Sequence, residues 1–155
     1  MRKIKKKQSD KKSEKENKKM GRLKFRAWDK NKQKMYTTSE LIIWDNKVYA
    51  NDIRDLTHEI LNGWVIDEEY LMQSTGIFDK NGVEIFEGDI LELEDGDEVI
   101  GNGKLVWNKW QAVLVVEAIG VEDTTAFNEL IDDISSYRVI GNIYENQELL
   151  ENKGD

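Results

Sequence analysis

The stretch QSTGIFDKNGVEIFEGDI, residues 73–90, decides the fold of this chain. Polar and apolar side chains alternate on both sides of Asp79–Gly82, a turn sequence in which Gly82 takes the left-handed backbone position. A second turn, Glu87–Asp89, leads into the apolar residues of 90–93. Alternation interrupted by short Gly and Asp turns is typical of consecutive antiparallel strands, so the stretch predicts three of them.

Strand signals continue on both sides of this stretch. Upstream, two hairpins are predicted: residues 24–29 with 34–36, and residues 41–44 with 47–49 around the turn Asp45-Asn46, whose side chains tolerate a left-handed backbone. Downstream, residues 104–119 predict a hairpin that turns at Asn108-Lys109, and residues 137–144 predict a last strand. At least six short strands at regular spacing indicate a small barrel or roll.

Two or three short helices accompany the strands. Residues 52–61 carry apolar side chains at helical spacing, with Asp52 as the cap and Asn62-Gly63 as the stop. Thr124 or Thr125 is expected to cap a helix that runs to Ile134, and Asn146 to cap a closing turn at residues 147–150. The fold class predicted is therefore mainly β (α+β).

Composition excludes several classes of protein. The chain has 155 residues, which predicts one domain, and its 14 aromatic residues are too many for a wholly disordered protein. Cysteine is absent, which excludes disulfides, thiolate nucleophiles and Cys-zinc sites. The only histidine is His58, so a His-rich metal site is excluded, and a surface role for His58 is favoured over a catalytic one.

The net charge of −8 averages two unlike segments. Residues 1–24 hold 12 Lys and Arg against 3 acids, whereas residues 25–155 hold 11 against 28, a net of −17. We expect residues 1–21 to be a disordered basic tail, either a nucleic-acid-binding arm or a solvated segment without a role. Because Lys15-Glu16 can be encoded as a purine-rich ribosome-binding sequence, Met20 is a second candidate for the translation start.

A metal-dependent hydrolase is the least favoured interpretation. It would use the carboxylates of Asp79, Glu84, Glu87 and Asp89, which two-metal chemistry requires to converge on ions about 4 Å apart. Nothing in their spacing demands convergence, and the segment lacks the ligand spacing of an EF-hand calcium loop. We therefore expect a protein that is not an enzyme and has no metal site, catalytic residue or cofactor.

Three stretches together resemble the YopX family of phage and prophage proteins. They are Phe25–Asp29 with Met35-Tyr36, then Gln73–Gly82 with Glu84–Ile90, and finally Val139–Asn146. They occur in the family's order, and the resemblance covers roughly residues 22–150. Ser74 and Gln147 depart from the aromatic residue and the proline that are common at their positions in the family.

The resemblance implies a C-terminal SH3-like β-barrel, here residues 70–151, behind an N-terminal hairpin and helix region at residues 22–69. It also implies self-association and a phage-derived, soluble, cytoplasmic protein of a bacterial host. No membrane partner is expected, because no stretch approaches about 18 apolar residues. It carries over no established activity. The family-motif residues are glycines, aromatics and turn formers, which favour a structural role: Phe25, Arg26, Trp28, Asp29, Thr75, Gly76, Asp79, Gly82, Glu87, Gly88, Asp89, Gly141, Asn142 and Tyr144.

A non-enzymatic, self-associating protein-interaction module is the leading functional hypothesis. Trp44, Trp107 and Trp110 exceed what one small core needs, and exposed Trp residues are favoured at interfaces. The second hypothesis is nucleic-acid binding through the barrel face and the basic arm. The net charge of −17 beyond residue 24 opposes it, because phosphate binding needs positive charge.

Overall fold

The computed structural model describes residues 23–50 and 64–151. These residues form the strands β1 (Phe25–Asp29), β2 (Lys34–Tyr36), β3 (Leu41–Trp44), β4 (Lys47–Ala50), β5 (Trp64–Ile66), β6 (Leu71–Phe78), β7 (Glu84–Phe86), β8 (Asp89–Asp95), β9 (Glu98–Asn108), β10 (Val113–Ala118), β11 (Thr124–Ala126) and β12 (Ser136–Asn142). One α-helix, α1 (Phe127–Asp133), and three 3-10 helices, Thr38–Glu40, Glu68–Tyr70 and Gln147–Leu150, complete this part of the chain.

The strands form three sheets, with the orders β2-β1-β6-β7, β3-β4-β5 and β11-β10-β9-β8-β12. Every pair is antiparallel, and the sheets curl and include a half-barrel. The prediction of a mainly β protein is confirmed. The four-stranded sheet takes β1 and β2 from one predicted region and β6 and β7 from the other, so the two regions share a sheet.

Two apolar cores stabilise these sheets, because burial removes large aliphatic and aromatic side chains from water. One lies between the five-stranded sheet and α1, and contains Leu91, Leu105, Val116 and Phe127 among its buried residues. The other lies between the three-stranded sheet and β1, and its buried residues are Ala27, Tyr36, Val48, Ala50 and Ile66.

The predicted turn chemistry is confirmed in the hairpins. Asp45 and Asn46 both have left-handed backbones, with φ of 48° and 57°, and they join β3 to β4 in the predicted register. Gly82 and Gly88 have φ of 79° and 81°, as expected for the turns around them. The turn Asp45-Asn46 thus joins a paired hairpin, and Gly82 lies in the turn between the paired strands β6 and β7. Gly88 instead lies between β7 and β8, which belong to different sheets, so the three predicted strands of residues 73–90 form but β7 and β8 do not pair.

Two predictions for residues 104–134 were wrong. Val113 pairs with Asn108, so the β9–β10 connection is the four-residue turn 109–112 and not Asn108-Lys109. Thr124 and Thr125 cap no helix, because they lie in β11 opposite Glu117 and Val116, and α1 begins at Phe127.

The C-terminal end also differs from its prediction. The last strand ends at Asn142 and not at Tyr144, since residues 143–145 turn the chain. The Asn146 side chain caps no helix but turns back to accept a bond from the Asn142 N–H. Asn146 begins the closing 3-10 helix only through its backbone carbonyl, which accepts from Leu149.

Some predictions fall on residues outside the described ranges. They are the basic tail at residues 1–21 with the Met20 start, and the helix at 52–61 with His58. Within the described ranges, α1 is the one α-helix, and no helix there is long and apolar enough to cross a bilayer.

The two turn glycines offer a matched test of backbone and packing costs. Gly82→Ala places a Cβ in open space at φ +79°, whereas Gly88→Ala places one 3.0 Å from the Met72 sulfur at φ +81°. We expect Gly82→Ala to lower the free energy of unfolding by about 1 kcal/mol from the left-handed backbone alone. Gly88→Ala should cost more because its Cβ also crowds Met72, and urea denaturation of both variants measures the difference; equal losses would contradict the packing contribution.

Candidate functional site

An ion pair ties β1 to the turn before β8. The Arg26 Nη2 donates to the Asp89 Oδ1 at 2.7 Å and to the Glu87 carbonyl at 3.1 Å. The other carboxylate oxygen of Asp89 accepts from the Phe86 N–H at 2.8 Å, and the guanidinium lies 4.8 Å from the centre of the Phe86 ring. The Asp89 side chain is 2% exposed and that of Arg26 is 14% exposed, so water solvates neither charge strongly.

Burial is the largest influence on the pKa of Asp89. It raises the pKa of Asp89 above its ordinary value, and the opposing pull of Arg26 and the Phe86 N–H only partly offsets that rise. The carboxylate is buried, and both of its oxygens accept hydrogen bonds from within the chain. Its environment therefore indicates a structural role. The bond from the Phe86 N–H makes Asp89 an acceptor in the turn before β8.

Asp79 connects the β6–β7 turn to β12. Its Oδ1 accepts from the N–H groups of Asn81 and Val83 at 2.9 and 2.8 Å, and its Oδ2 accepts from the Val139 N–H at 2.9 Å. Burial would raise the pKa of Asp79, but these three N–H donors and nearby Arg138 hold it below its ordinary value. The carboxylate therefore links two segments that lie 60 residues apart in sequence.

Asn142 organises the turn that follows β12. Its side-chain oxygen accepts from the N–H groups of Tyr144 and Glu145 at 3.0 and 2.9 Å. Gly141 stands beside this turn because a Cβ there would lie 2.5 Å from the Asn146 side-chain oxygen. The small size of Gly141, and not a left-handed backbone, is what the position requires.

An aromatic stack covers the junction between β1 and this turn. The rings of Trp28 and Tyr144 are nearly parallel with their centres 5.8 Å apart, and Tyr70 meets Tyr144 edge-on at 5.5 Å. Lys30 lies 5.6 Å from the centre of the Tyr70 ring. Burial raises the pKa of Tyr144, as expected for a phenol packed between other rings.

The remaining polar motif residues also bond to the backbone. Thr75 donates through its hydroxyl to the Ile85 carbonyl at 2.8 Å and accepts from the Ile77 N–H at 3.0 Å. Glu87 accepts from the Gln73 N–H at 3.0 Å, and Asp29 accepts from the N–H groups of residues 31 and 32. Gly76, with φ of 75°, occupies the irregularity in β6.

The four carboxylates of the hydrolase hypothesis have separate partners. Asp79 accepts backbone bonds, Asp89 pairs with Arg26, Glu87 accepts from Gln73, and Glu84 pairs with Lys24 at 3.0 Å. In residues 23–50 and 64–151, no three His, Asp or Glu side chains are grouped so that they could hold a metal ion.

The first candidate interaction surface is the tryptophan hairpin tip, formed by Trp107, Lys109 and Trp110 at the β9–β10 turn. Trp110 is 87% exposed and Trp107 53%, and the Lys109 ammonium lies 5.1 Å from the Trp110 ring centre. The Asn108 side chain holds the turn by accepting from the N–H groups of Trp110 and Gln111 at 3.0 and 3.2 Å. The tip therefore presents its indole rings on a braced turn.

The second candidate surface is the outer apolar face of the three-stranded sheet, formed by Ile42, Trp44, Tyr49 and Val65. Ile42, Tyr49 and Val65 lie in one cross-strand row, and Trp44 lies on the same face. Trp44 is 70% exposed and Val65 56%. The sequence indicated Trp44 but not Val65, because the alternation within β5 is too short to assign its faces.

The family comparison agrees with this arrangement. A family model described as YopX protein matches residues 24–151. This chain belongs to the YopX family. The match begins at β1 and ends after the Asn142 turn, so it includes all of the structural bonds described above.

Two solved structures of similar proteins support the fold. The crystal structure of protein EF1440 from Enterococcus faecalis is 29% identical, covers 84% of this chain and 99% of its own, and superposes with a TM-score of 0.53. The crystal structure of yopX from Bacillus subtilis is 20% identical, with coverages of 83% and 98% and a TM-score of 0.54. No protein among the curated sequences matches this chain.

Proposed function

We propose that this YopX-family chain is a non-enzymatic, self-associating interaction module that binds another protein of a phage or its bacterial host, in the cytoplasm. We further propose that residues 70–151 of this module form an SH3-like barrel. The observation that carries the proposed function is a contrast between the family-motif polar side chains and the exposed Trp side chains. The polar motif side chains form hydrogen bonds and ion pairs within the chain, whereas the indole rings of Trp44, Trp107 and Trp110 are exposed to solvent near hairpin turns.

The tryptophan hairpin tip is the surface proposed for the protein partner. Trp is among the side chains that contribute most to interface affinity, and a braced turn loses little conformational entropy on binding. Lys109 is the one charged residue between Trp107 and Ala112, on a chain whose residues 25–155 carry a net charge of −17. The tip therefore fits an apolar pocket with an acidic rim.

An affinity capture with matched variants tests this assignment. The immobilised full chain is expected to retain a specific protein from infected or lysogenic host cells, and the Trp110→Ala variant to lose it. Val121→Ala removes a comparably exposed apolar side chain, 66% exposed, from the β10–β11 connection and should retain it. Identical captures by all three chains, or by bare resin, would contradict a role for the tip.

Nucleic-acid binding is the second candidate, supported by the Lys109–Trp110 contact, because single strands bind where bases stack on aromatics beside cations. Fluorescence anisotropy of single- and double-stranded oligonucleotides tests it with chains that begin at Met1 and at Met20. Salt-sensitive binding by the longer chain alone would assign the effect to the basic tail. Binding by both chains that Trp110→Ala abolishes would assign it to the tip.

A further inference from the structure

In residues 23–50 and 64–151, the strand β3 forms a sheet edge that carries none of the usual protection. It reads Leu-Ile-Ile-Trp, four apolar residues without charge, glycine or proline, and it is an outer strand of the sheet β3-β4-β5 in the described part of the chain. Proteins usually protect such edges with charged side chains, prolines, bulges or very short strands, because open backbone groups pair with other strands.

The other edge strands carry such protection. Charged residues lie in β2, β7 and β12, at Lys34, Glu84 and Arg138 respectively, and β11 and β5 are only three residues long. Among the strands that the structure describes, β3 is thus the longest sheet edge with neither a charge nor a bulge.

The β3–β4 register directs specific backbone groups outward. A two-residue turn makes its flanking residues, Trp44 and Lys47, the pair that exchanges backbone hydrogen bonds. Because bonded and non-bonded pairs alternate, the N–H and carbonyl of Ile43 point away from β4, toward the edge. Ile43 is 48% exposed, so a second strand can approach it.

We propose, building on the self-association proposed above, that β3 pairs antiparallel with β3 of a second copy across a two-fold axis, Ile43 facing Ile43. Two identical edges meet in this way without any change of shape, which makes the contact isologous and closed. The two three-stranded sheets become one six-stranded sheet. The outer apolar faces of the two copies then lie side by side, so Ile42 and Trp44 extend the buried area beyond the backbone pairing.

The local charge at this edge favours a second copy. Residues 25–155 carry a net charge of −17, so two copies repel each other over most of their surfaces. The segment 41–50 contains only Asp45 and Lys47 as charged residues and is therefore neutral. Salt screens the remaining repulsion over about 10 Å at 0.1 M, so association through β3 should strengthen as salt rises.

Sedimentation over a range of concentrations tests the proposal with the full chain. The wild-type protein is expected to exceed the 18.1 kDa of one chain, more so at high salt, and Ile43→Lys to return to one chain. Val99→Lys is the matched control, because Val99 is 58% exposed at the start of β9, and it should leave the wild-type mass unchanged. Circular dichroism checks that the variants keep their strands.

The outcomes separate this edge from the broader proposal. A wild-type chain that stays monomeric at every concentration and salt overturns self-association itself. A wild-type oligomer whose mass survives Ile43→Lys overturns only the β3 contact.

A cysteine variant tests the contact without adding charge to the edge. Since the chain has no native cysteine, Ile43→Cys should give a disulfide-linked dimer under mild oxidation, and Val99→Cys should not. The expected Cα separation of about 5.5 Å for facing residues lies within the disulfide range. Equal cross-linking of the two variants, or none at position 43 in an associated sample, rejects the pairing.

Discussion

Replacing Arg26 with Met is expected to lower the free energy of unfolding by about 3–5 kcal/mol, because it leaves the Asp89 carboxylate buried without its cation. The Met side chain roughly keeps the volume of the Arg stem, so the loss reports on charge more than on packing. Urea denaturation near neutral pH measures it. A loss below about 1 kcal/mol would show that the pair is as weak as a surface ion pair.

A matched control and a second variant separate charge from side-chain loss. Lys104→Met removes a cation from the Lys104–Glu117 pair, whose side chains are 37% and 42% exposed, and should cost under about 1 kcal/mol. Adding Asp89→Asn to Arg26→Met removes the stranded charge while an amide oxygen can still accept from Phe86. The double variant should therefore be more stable than Arg26→Met alone.

The pH dependence of Arg26→Met has a defined sign. Burial already raises the pKa of Asp89 in the native protein, and removing Arg26 raises it further. A native carboxyl with a raised pKa binds protons more readily than the unfolded chain, so stability falls as the pH rises from the unfolded pKa to the native one. The deficit of the variant should thus be largest near neutral pH and shrink toward the ordinary Asp pKa of about 3.9.

Replacing Asp79 with Asn is expected to lower the free energy of unfolding by about 2–4 kcal/mol. The amide oxygen can keep the bonds from Asn81 and Val83, but the amide NH2 then faces the Val139 N–H and leaves that half-buried donor unpaired. Asp97→Asn makes the same chemical change at an exposed turn position and should alter stability by less than about 0.5 kcal/mol.

Lowering the pH should remove the difference in free energy of unfolding between the wild type and Asp79→Asn. The pKa of Asp79 is held below its ordinary value, so its contribution is complete above the unfolded pKa of about 3.9 and is lost as the pH falls through the native pKa. Denaturation midpoints at several pH values measure this. If the difference in free energy of unfolding between the two proteins stayed constant down to the most acidic pH at which they fold, the bonds of Asp79 would not depend on its charge.

Turn chemistry was predictable from the sequence because its causes are local. Asp45-Asn46 and Gly82 adopt the left-handed backbone that these residue types tolerate, and each turn fixes the register of its own hairpin. The accepting role of Asp29 was equally predictable, since its partners are the N–H groups two and three residues later.

Features that depend on distant segments were not predictable. Thr124 and Thr125 are good helix caps by type, but pairing with β10 draws them into a strand. Arg26 and Asp89 lie 63 residues apart, so nothing in either local sequence reveals their ion pair. The exposed Trp residues were predictable from their number, whereas the row that adds Val65 to the outer apolar face required the sheet order.

The stack of Trp28 on Tyr144 has a consequence for synthesis of the protein. The two residues lie 116 positions apart, near opposite ends of the family-matched segment 24–151, yet their ring centres are 5.8 Å from each other. The N-terminal part of a chain leaves the ribosome first. One face of the Trp28 ring in β1 therefore stays exposed to water until the turn after β12 has also left the ribosome. This contact therefore forms only after nearly all of the family-matched segment has been made, and a chain cut short before residue 144 lacks the ring that covers its first strand.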